Sequence, residues 1–331
     1  MASFVTGGSG FLGRELIRAL GERGHAVRAL ARSPRSEAAV RAAGAEPVAG
    51  DLDAVAAMRA GMDGCDLVFH AAAHTEEWDS DDRFHQVNVD GTASVLQAAR
   101  DAGVRRIVLV STEAVLAGGP IRDADETTPL PRRTLRGYPA TKRMAEELVR
   151  AACRDGVDAV IIRPRFLWGR GDTAVLAKLV AAASAGRLRW VDGGRYPTST
   201  CHVANACEGA LLAAERGRAG ETYFLTDGEP VEFRWFVSEL LRTQGVAVPD
   251  RGVPRWVARS AAATLEPLWR LLRITSPPPV TRVAVTLMGQ PVTVSDAKAR
   301  RELGYTAPTT IAAGLTEMAS QPPVQAALAT P

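Results

Sequence analysis

The chain has 331 residues, 46% hydrophobic and 23% charged, with a formal net charge of +3. This is the composition of a soluble globular protein with room for a large core and two lobes. It excludes a transmembrane protein, since no apolar run reaches spanning length, and it offers nucleic acid no electrostatic footprint. Arg132, Arg133 and Arg136 cluster, as do Arg251, Arg255 and Arg259, but without interleaved aromatics. Cys65, Cys153, Cys201 and Cys207 lack metal-type spacing, so no metal is expected, and a reduced, cytoplasmic setting fits them. The first strand is expected to begin at once, so no signal peptide is expected.

The chain opens on Ala2-Ser3-Phe4-Val5-Thr6-Gly7-Gly8-Ser9-Gly10-Phe11-Leu12-Gly13. Phe4 and Val5 read as a short buried strand, and Leu12, Leu16, Ile17 and Leu20 fall at helical spacing. Gly8, Gly10 and Gly13 fit the dinucleotide fingerprint, and Gly7, Gly10 and Gly13 fit its three-residue-spaced relative. One glycine permits the tight turn, a second lets backbone amides approach a pyrophosphate, and a third lets helix and strand pack closely. The helix N-terminus then offers free N–H groups to the phosphates.

Further apolar strands are expected at residues 26–30, around Val48, and at 67–69, 107–110 and 159–162, with helices at 89–102 and 141–152 between them. Continuous apolar strands alternating with helices imply an α/β fold, a doubly wound parallel sheet covered on both faces. After Pro164 the pattern loosens. Helices are expected at 174–185, 203–214 and 233–241, and a strand at 222–225. The predicted organisation is a Rossmann domain over 1–165, with 198–216 packing back on it. A smaller mixed α/β substrate lobe takes 166–197 and 217–320, and an Ala- and Pro-rich tail, 321–331, is expected to fray.

Tyr138 and Lys142 stand four apart at the start of a helix and so share one face. A tyrosine with a pKa of about 10 exchanges protons poorly at neutral pH, and a neighbouring ammonium pulls it down. The pair could serve as a general acid/base on a hydroxyl or carbonyl. Ser111-Thr112 closes the fifth strand, where an open α/β sheet binds ligands, so either hydroxyl could hold a substrate oxygen or simply cap a turn.

With these residues in place the chain resembles the extended short-chain dehydrogenase/reductase superfamily. The resemblance rests on Thr6 to Gly13, Gly50-Asp51-Leu52, His70-Ala71-Ala72-Ala73, Asn88-Val89-Asp90-Gly91-Thr92, Ser111-Thr112, Tyr138-Pro139-Ala140-Thr141-Lys142 and Arg163-Pro164, in the family's order. It implies that Gly7, Gly8, Gly10, Phe11, Leu12 and Gly13 hold the cofactor, with Asp51 and Leu52 at the adenine and Ala71, Ala72, Ala73 and Pro164 beside it. It implies Tyr138 as catalytic acid/base, Lys142 also on the nicotinamide ribose, Thr112 or Ser111 as the hydroxyl partner, and Asn88 in a structural part. Ala31 and Arg32 stand where NAD-binding relatives place an acid, so NADP(H) is favoured, with NAD(H) possible.

Ser111-Thr112-Glu113-Ala114-Val115 looks like a stretch of nucleotide-sugar 4,6-dehydratases, but Ala114 replaces their second carboxylate. Arg163-Pro164-Arg165-Phe166-Leu167-Trp168-Gly169, Thr226-Asp227-Gly228-Glu229-Pro230 and Leu303-Gly304-Tyr305 resemble the 3β-hydroxysteroid dehydrogenase branch instead. The expectation is an alcohol/ketone oxidoreductase for an apolar substrate, with Phe166, Leu167 and Trp168 as an apolar wall and His74, Trp78 and Glu113 as further substrate contacts. A nucleotide-sugar epimerase and a non-catalytic cofactor sensor are the alternatives. In relatives, the helices matching 89–102 and 141–152 form a two-fold bundle, so a homodimer is expected, with Ala93, Ala98, Ala99, Ala145 and Ala151 small enough to pack there. For the Trp- and Leu-rich stretch 254–272, plain packing ranks first, a pocket lid second and peripheral membrane contact third.

Overall fold

The computed structural model describes residues 1–322, so all but the first two residues of the expected tail lie outside the described residues. Seven strands form one parallel sheet: β1 (Ala2–Thr6), β2 (Ala26–Ala31), β3 (Glu46–Ala49), β4 (Leu67–His70), β5 (Arg106–Val110), β6 (Ala159–Pro164) and β7 (Thr222–Leu225). Their order is β7-β6-β5-β4-β1-β2-β3. The direction of winding reverses between β1 and β4, which opens a crevice beyond their C-terminal ends. The fold is the expected doubly wound Rossmann sheet with a smaller mixed lobe beyond it.

Alternation along each strand explains the continuous apolar runs. In β6, Val160 and Ile162 enter the layer under the helices Phe11–Glu22 and Val203–Arg216, while Ala159 and Ile161 enter the layer under Gly91–Asp101 and Tyr138–Arg154. Both faces are therefore dry.

The domain boundaries differ from expectation in two exchanges. Thr222–Leu225, assigned by sequence to the second lobe, pairs parallel with β6 and completes the large sheet. Conversely, Ile121–Ala124 leaves the first domain and joins Val292–Val294 in a four-stranded sheet with Pro197–Thr198 and Val231–Glu232. Short strands carry no mark of which sheet they will complete, because partner choice is set by long-range packing. The second lobe has its own aromatic core of Phe166, Trp168, Trp190, Tyr196, Phe233 and Phe236.

Asp227 fastens this lobe. Its carboxylate accepts hydrogen bonds from Trp168 Nε1 (2.7 Å), the Thr200 hydroxyl (2.7 Å), the His202 N–H (2.6 Å) and Asn205 Nδ2 (2.7 Å). The Tyr305 hydroxyl donates to the Thr226 carbonyl at 2.8 Å. The stretches Thr226 to Pro230 and Leu303 to Tyr305 thus join the lobe to the sheet.

The helix Arg255–Leu271 departs from expectation most. Its buried residues are Ala258 and Ala262. Trp256 is 72% exposed and Leu271 79%, with Leu268 and Leu272 exposed beside them. Small alanines make its inner face, so plain packing does not account for the large apolar side chains. No helix among the described residues is long and apolar enough to cross a membrane.

Candidate active site

The glycine turn is packed to the limit. Gly7 adopts φ +72°, and a Cβ there would meet Ala72 N at 2.7 Å. A Cβ at Gly13 would stand 2.0 Å from the Gly7 carbonyl oxygen. Gly8 presses on Ala29 and Ile17 instead, so the three-residue-spaced set Gly7, Gly10 and Gly13 makes the turn. Gly10 caps the helix Phe11–Glu22 with no side-chain hydrogen bond, which leaves its first N–H groups for an anion. Leu12 is buried in the core and Phe11 is half-buried against it. This cradle fits a dinucleotide pyrophosphate.

Ala71, Ala72 and Ala73 follow β4, half-buried, against this turn. A one-way hydrogen-bond relay fixes them. The Ala72 N–H donates to Thr6 Oγ1 (3.2 Å), which lies 2.7 Å from His70 Nδ1. His70 Nε2 lies 2.9 Å from Thr92 Oγ1, which donates to the Asn88 carbonyl at 2.7 Å. Because Thr92 gives its proton to Asn88, the imidazole proton sits on Nε2. Burial, helped by the Lys142 charge, pushes His70 down to about 3, so it stays neutral.

At the ends of β2 and β3, Arg32 faces Asp51 at 3.6 Å, both exposed. Leu52 is buried against Gly91, where a Cβ would meet Leu52 at 2.8 Å. Pro164 ends β6 and pairs in register with Leu225.

Tyr138 is the first residue of the helix Tyr138–Arg154, which starts three residues earlier than the sequence suggests. Gly137 at φ +73° precedes it, and a Cβ there would touch the Phe84 ring at 3.1 Å. Asn88 anchors this first turn. It sits in a π-turn, Gln86–Asp90, and its amide pairs with both backbone groups of His74 (2.7 and 3.1 Å) and donates to Thr141 Oγ1 (3.0 Å). Lys142 is buried and donates to the Val110 carbonyl at 2.8 Å. Burial pulls its pKa down, against the opposing pull of Glu146, to about 8.

The expected lowering of Tyr138 by Lys142 is not what the protein alone produces. Burial pushes Tyr138 up, the Glu113 carboxylate pushes it further, and only a hydrogen bond with the Thr112 side chain opposes them. Tyr138 is thus protonated at neutral pH.

Ser111 and Thr112 part ways. Ser111 donates to Glu146 Oε1 at 2.6 Å, and Glu146 also accepts Arg163 at 2.8 and 2.6 Å and Arg150 at 3.0 Å. Thr112 donates to Glu113 Oε2 at 2.8 Å, and Glu113 lies 3.3 Å from Arg165 NH1. Arg165 donates further to Thr198 Oγ1 and the Leu287 carbonyl, while its buried Nε has no partner. The structure therefore brings Thr112, and not Ser111, to Tyr138. Glu146, Arg163 and Arg165 were not expected here by role. The signal for Glu146 was present, since Tyr138, Lys142, Glu146 and Arg150 recur every fourth residue.

Among the expected substrate residues, His74 lies 2.8 Å from Asp79 and tilts against Phe84 at 4.8 Å. Trp78 donates to the Ile274 carbonyl at 3.2 Å, with Arg270 over its ring. Phe166 and Trp168 turn into the second lobe's core, where Trp168 meets His202 and Phe236, and Leu167 is half-buried against the main core. Phe166 and Trp168 do not form an open apolar wall, because each finds aromatic partners behind it.

Residues 3–225 match the model of the NAD dependent epimerase/dehydratase family. Over 316 residues the chain is 54% identical to the 4-hydroxy-2-methyl-3-oxo-4-farnesyl-3,4-dihydroquinoline-1-oxide ketoreductase of Stigmatella aurantiaca, with 95% of each chain covered. It is 38% identical to the 2-alkyl-3-oxoalkanoate reductase of Stenotrophomonas maltophilia, over 95% of this chain and 97% of that one. Among solved structures, the dTDP-glucose 4,6-dehydratase DesIV from Streptomyces venezuelae, solved with NAD bound, superposes with a TM-score of 0.76, 26% identity and 96% coverage of each chain.

Proposed function

Because the chain belongs to the NAD-dependent epimerase/dehydratase family, we propose that it is an NAD(P)-dependent oxidoreductase that reduces the ketone of a lipophilic substrate to a secondary alcohol. The observation that carries this is the Tyr138–Thr112–Glu113 chain at the C-terminal edge of β5. When bound, the cofactor supplies a hydride from nicotinamide C4. Gly7, Gly10 and the N-terminus of Phe11–Glu22 would hold its pyrophosphate, and Asp51 and Leu52 would meet its adenine. Tyr138 would give its hydroxyl proton to the carbonyl oxygen of the ketone. Thr112, which donates to Glu113, accepts the Ala114 N–H and reaches Tyr138, holds the tyrosine hydroxyl in place at the end of β5. Lys142, anchored on the Val110 carbonyl, would hold the nicotinamide ribose with a further N–H. The ketoreductase and 3-oxoalkanoate reductase relatives support the reductive direction.

Relatives that act on farnesyl-bearing and 2-alkyl-3-oxo substrates support a lipophilic ketone. The nucleotide-sugar dehydratase reading is disfavoured by Ala114, which offers no second carboxylate, and by Glu113, which is engaged by Thr112 and Arg165. NADP(H) is the proposed cofactor on the strength of Arg32. A homodimer remains part of the proposal, but Ala98, Ala99 and Ala145 are buried in the protomer's own core, so its interface falls to Ala93, Met144 and Ala151.

The test is turnover of purified protein with NADPH against long-chain 3-oxo compounds, prenylated ring ketones and sugar nucleotides. Tyr138→Phe should lower ketone turnover by roughly a hundredfold or more with cofactor affinity nearly intact. Turnover of sugar nucleotides alone, or full activity in Tyr138→Phe, would overturn the reading.

A further inference from the structure

The helix Arg255–Leu271 presents an apolar face that the rest of the described chain leaves uncovered. Trp256, Pro267 and Leu271 project on the side opposite the buried Ala258 and Ala262. Leu268 and Leu272 are exposed at the C-terminal end of the helix. Of the seven large hydrophobic side chains exposed in the described residues, four belong to this helix and the residue after it: Trp256, Leu268, Leu271 and Leu272. An isolated exposed leucine needs no explanation, but exposed Leu268, Leu271 and Leu272 at one end of a helix with exposed Trp256 at the other do. The helix is also braced as a helix. Pro267 cannot donate to the Ala263 carbonyl, and the Arg282 guanidinium donates there instead at 3.2 Å.

Charge identifies the occupant. Residues 251–273 hold Arg251, Arg255, Arg259, Arg270 and Arg273 against Glu266 alone, a net of +4 where the whole chain carries +3. Arg255 and Arg270 pair with Asp192 and Asp81. Arg251, Arg259 and Arg273 are exposed with no ion pair among the described residues. A second copy of this chain would bring the same positive charges face to face. An anionic lipid surface would meet the arginines with phosphates and take the tryptophan and leucines into its interfacial layer.

We propose that this face docks on an anionic membrane surface and brings the loop that carries Ala71 to Trp78 close to it. The helix ends beside that loop. Arg270 lies over the Trp78 ring at 4.9 Å, and Trp78 donates to the Ile274 carbonyl. Trp78 belongs to the same loop as Ala71 to Ala73 and His74. Docking stands on the helix alone. That it delivers a membrane-dissolved ketone rests on the proposed function.

The experiment is co-sedimentation of the full chain with vesicles of phosphatidylglycerol and phosphatidylcholine, and with phosphatidylcholine alone. Binding to the anionic vesicles only, reversed by high salt, is expected. Arg259→Gln with Arg273→Gln should weaken binding by about fivefold per arginine. Trp256→Ser with Leu271→Ser should weaken it by roughly tenfold or more, with circular dichroism and NADPH affinity unchanged. No binding by the wild type, or variants that bind equally well, would overturn the proposal. So would light scattering that shows a dimer dispersed by Trp256→Ser with Leu271→Ser while vesicle binding persists, since a second copy would then cover the face. None of these readouts involves turnover, so docking and the proposed reaction can fail separately.

Discussion

Two buried clusters flank the end of β5, and they are built from the same parts. Ser111 and Thr112 are neighbours that point to opposite sides, as successive strand residues do. Each hydroxyl donates to a buried glutamate, Glu146 or Glu113, and each glutamate meets an arginine from the end of β6 or just past it, Arg163 or Arg165. The difference lies in completeness. Glu146 receives four hydrogen bonds, two of them a bidentate fork from Arg163. Burial pushes its pKa up, but Arg163, Arg150 and Ser111 outweigh burial and bring it down. Around Glu113 the contact with Arg165 is longer, the Arg165 Nε is orphaned, and Thr112 reaches on to Tyr138. A closed polar network locks structure, whereas an open one leaves groups for a reaction.

The comparison breaks most easily at Glu146. Glu146→Gln leaves Arg163 buried without a counter-charge, so unfolding free energy should fall by about 3–5 kcal/mol, read as a lower denaturant midpoint. A native-like midpoint would remove the distinction between the clusters.

The hydroxyls come next. Thr112→Val should lower ketone turnover by roughly tenfold to a hundredfold, since it removes the partner of Tyr138, and should cost about 1–3 kcal/mol of stability through its lost bonds to Glu113 and the Ala114 N–H. Ser111→Ala should cost about 1–3 kcal/mol of stability with turnover preserved. Exchanged outcomes would place the chemistry on the wrong side of the strand.

Glu113→Gln sharpens the same point through pH. The Glu113 charge raises Tyr138, so its removal favours the phenolate and lowers the tyrosine's pKa. The alkaline limb of the pH–rate profile, where the proton donor is lost, should move to lower pH. An unmoved limb would mean that Glu113 does not act on Tyr138.

The exposed pair Arg32–Asp51 supplies the mildest contrast. Arg32→Ala should leave stability unchanged. It should weaken NADPH by roughly tenfold and spare NADH, as loss of one charge-assisted contact to a 2′-phosphate would. Titration of both cofactors decides it, and equal affinities in the wild type would remove the case for NADP(H).

Local spacing made much of this legible. The large-sheet strands through residue 164 follow from their apolar runs, the glycine turn from its spacing, and the Tyr138–Lys142 pair from one helical turn. Long-range outcomes were not legible. Nothing in Thr222 to Leu225 says that it will complete the large sheet, and Phe166 and Trp168 look equally hydrophobic facing a pocket or a core. The sign of the Tyr138 shift depends on burial and on Glu113, which only the folded chain brings together.

The π-turn at Asn88 has a consequence for insertions and deletions. In an ordinary helix every fourth residue drifts by about 40° around the axis, so Phe84, Asn88 and Thr92 would wind away from one line. A π-turn holds one extra residue and takes that drift back. Phe84 can then reach His74, Asn88 can reach Thr141, and Thr92 can reach His70 from a single side. Loss of one residue between 86 and 90 would leave a regular helix of unaltered hydrophobicity that folds and packs. Its phase would be wrong, and Asn88 would turn away from the first turn under Tyr138. The reading frame of that helix, counted in single residues, is thus a constraint that no single substitution reports.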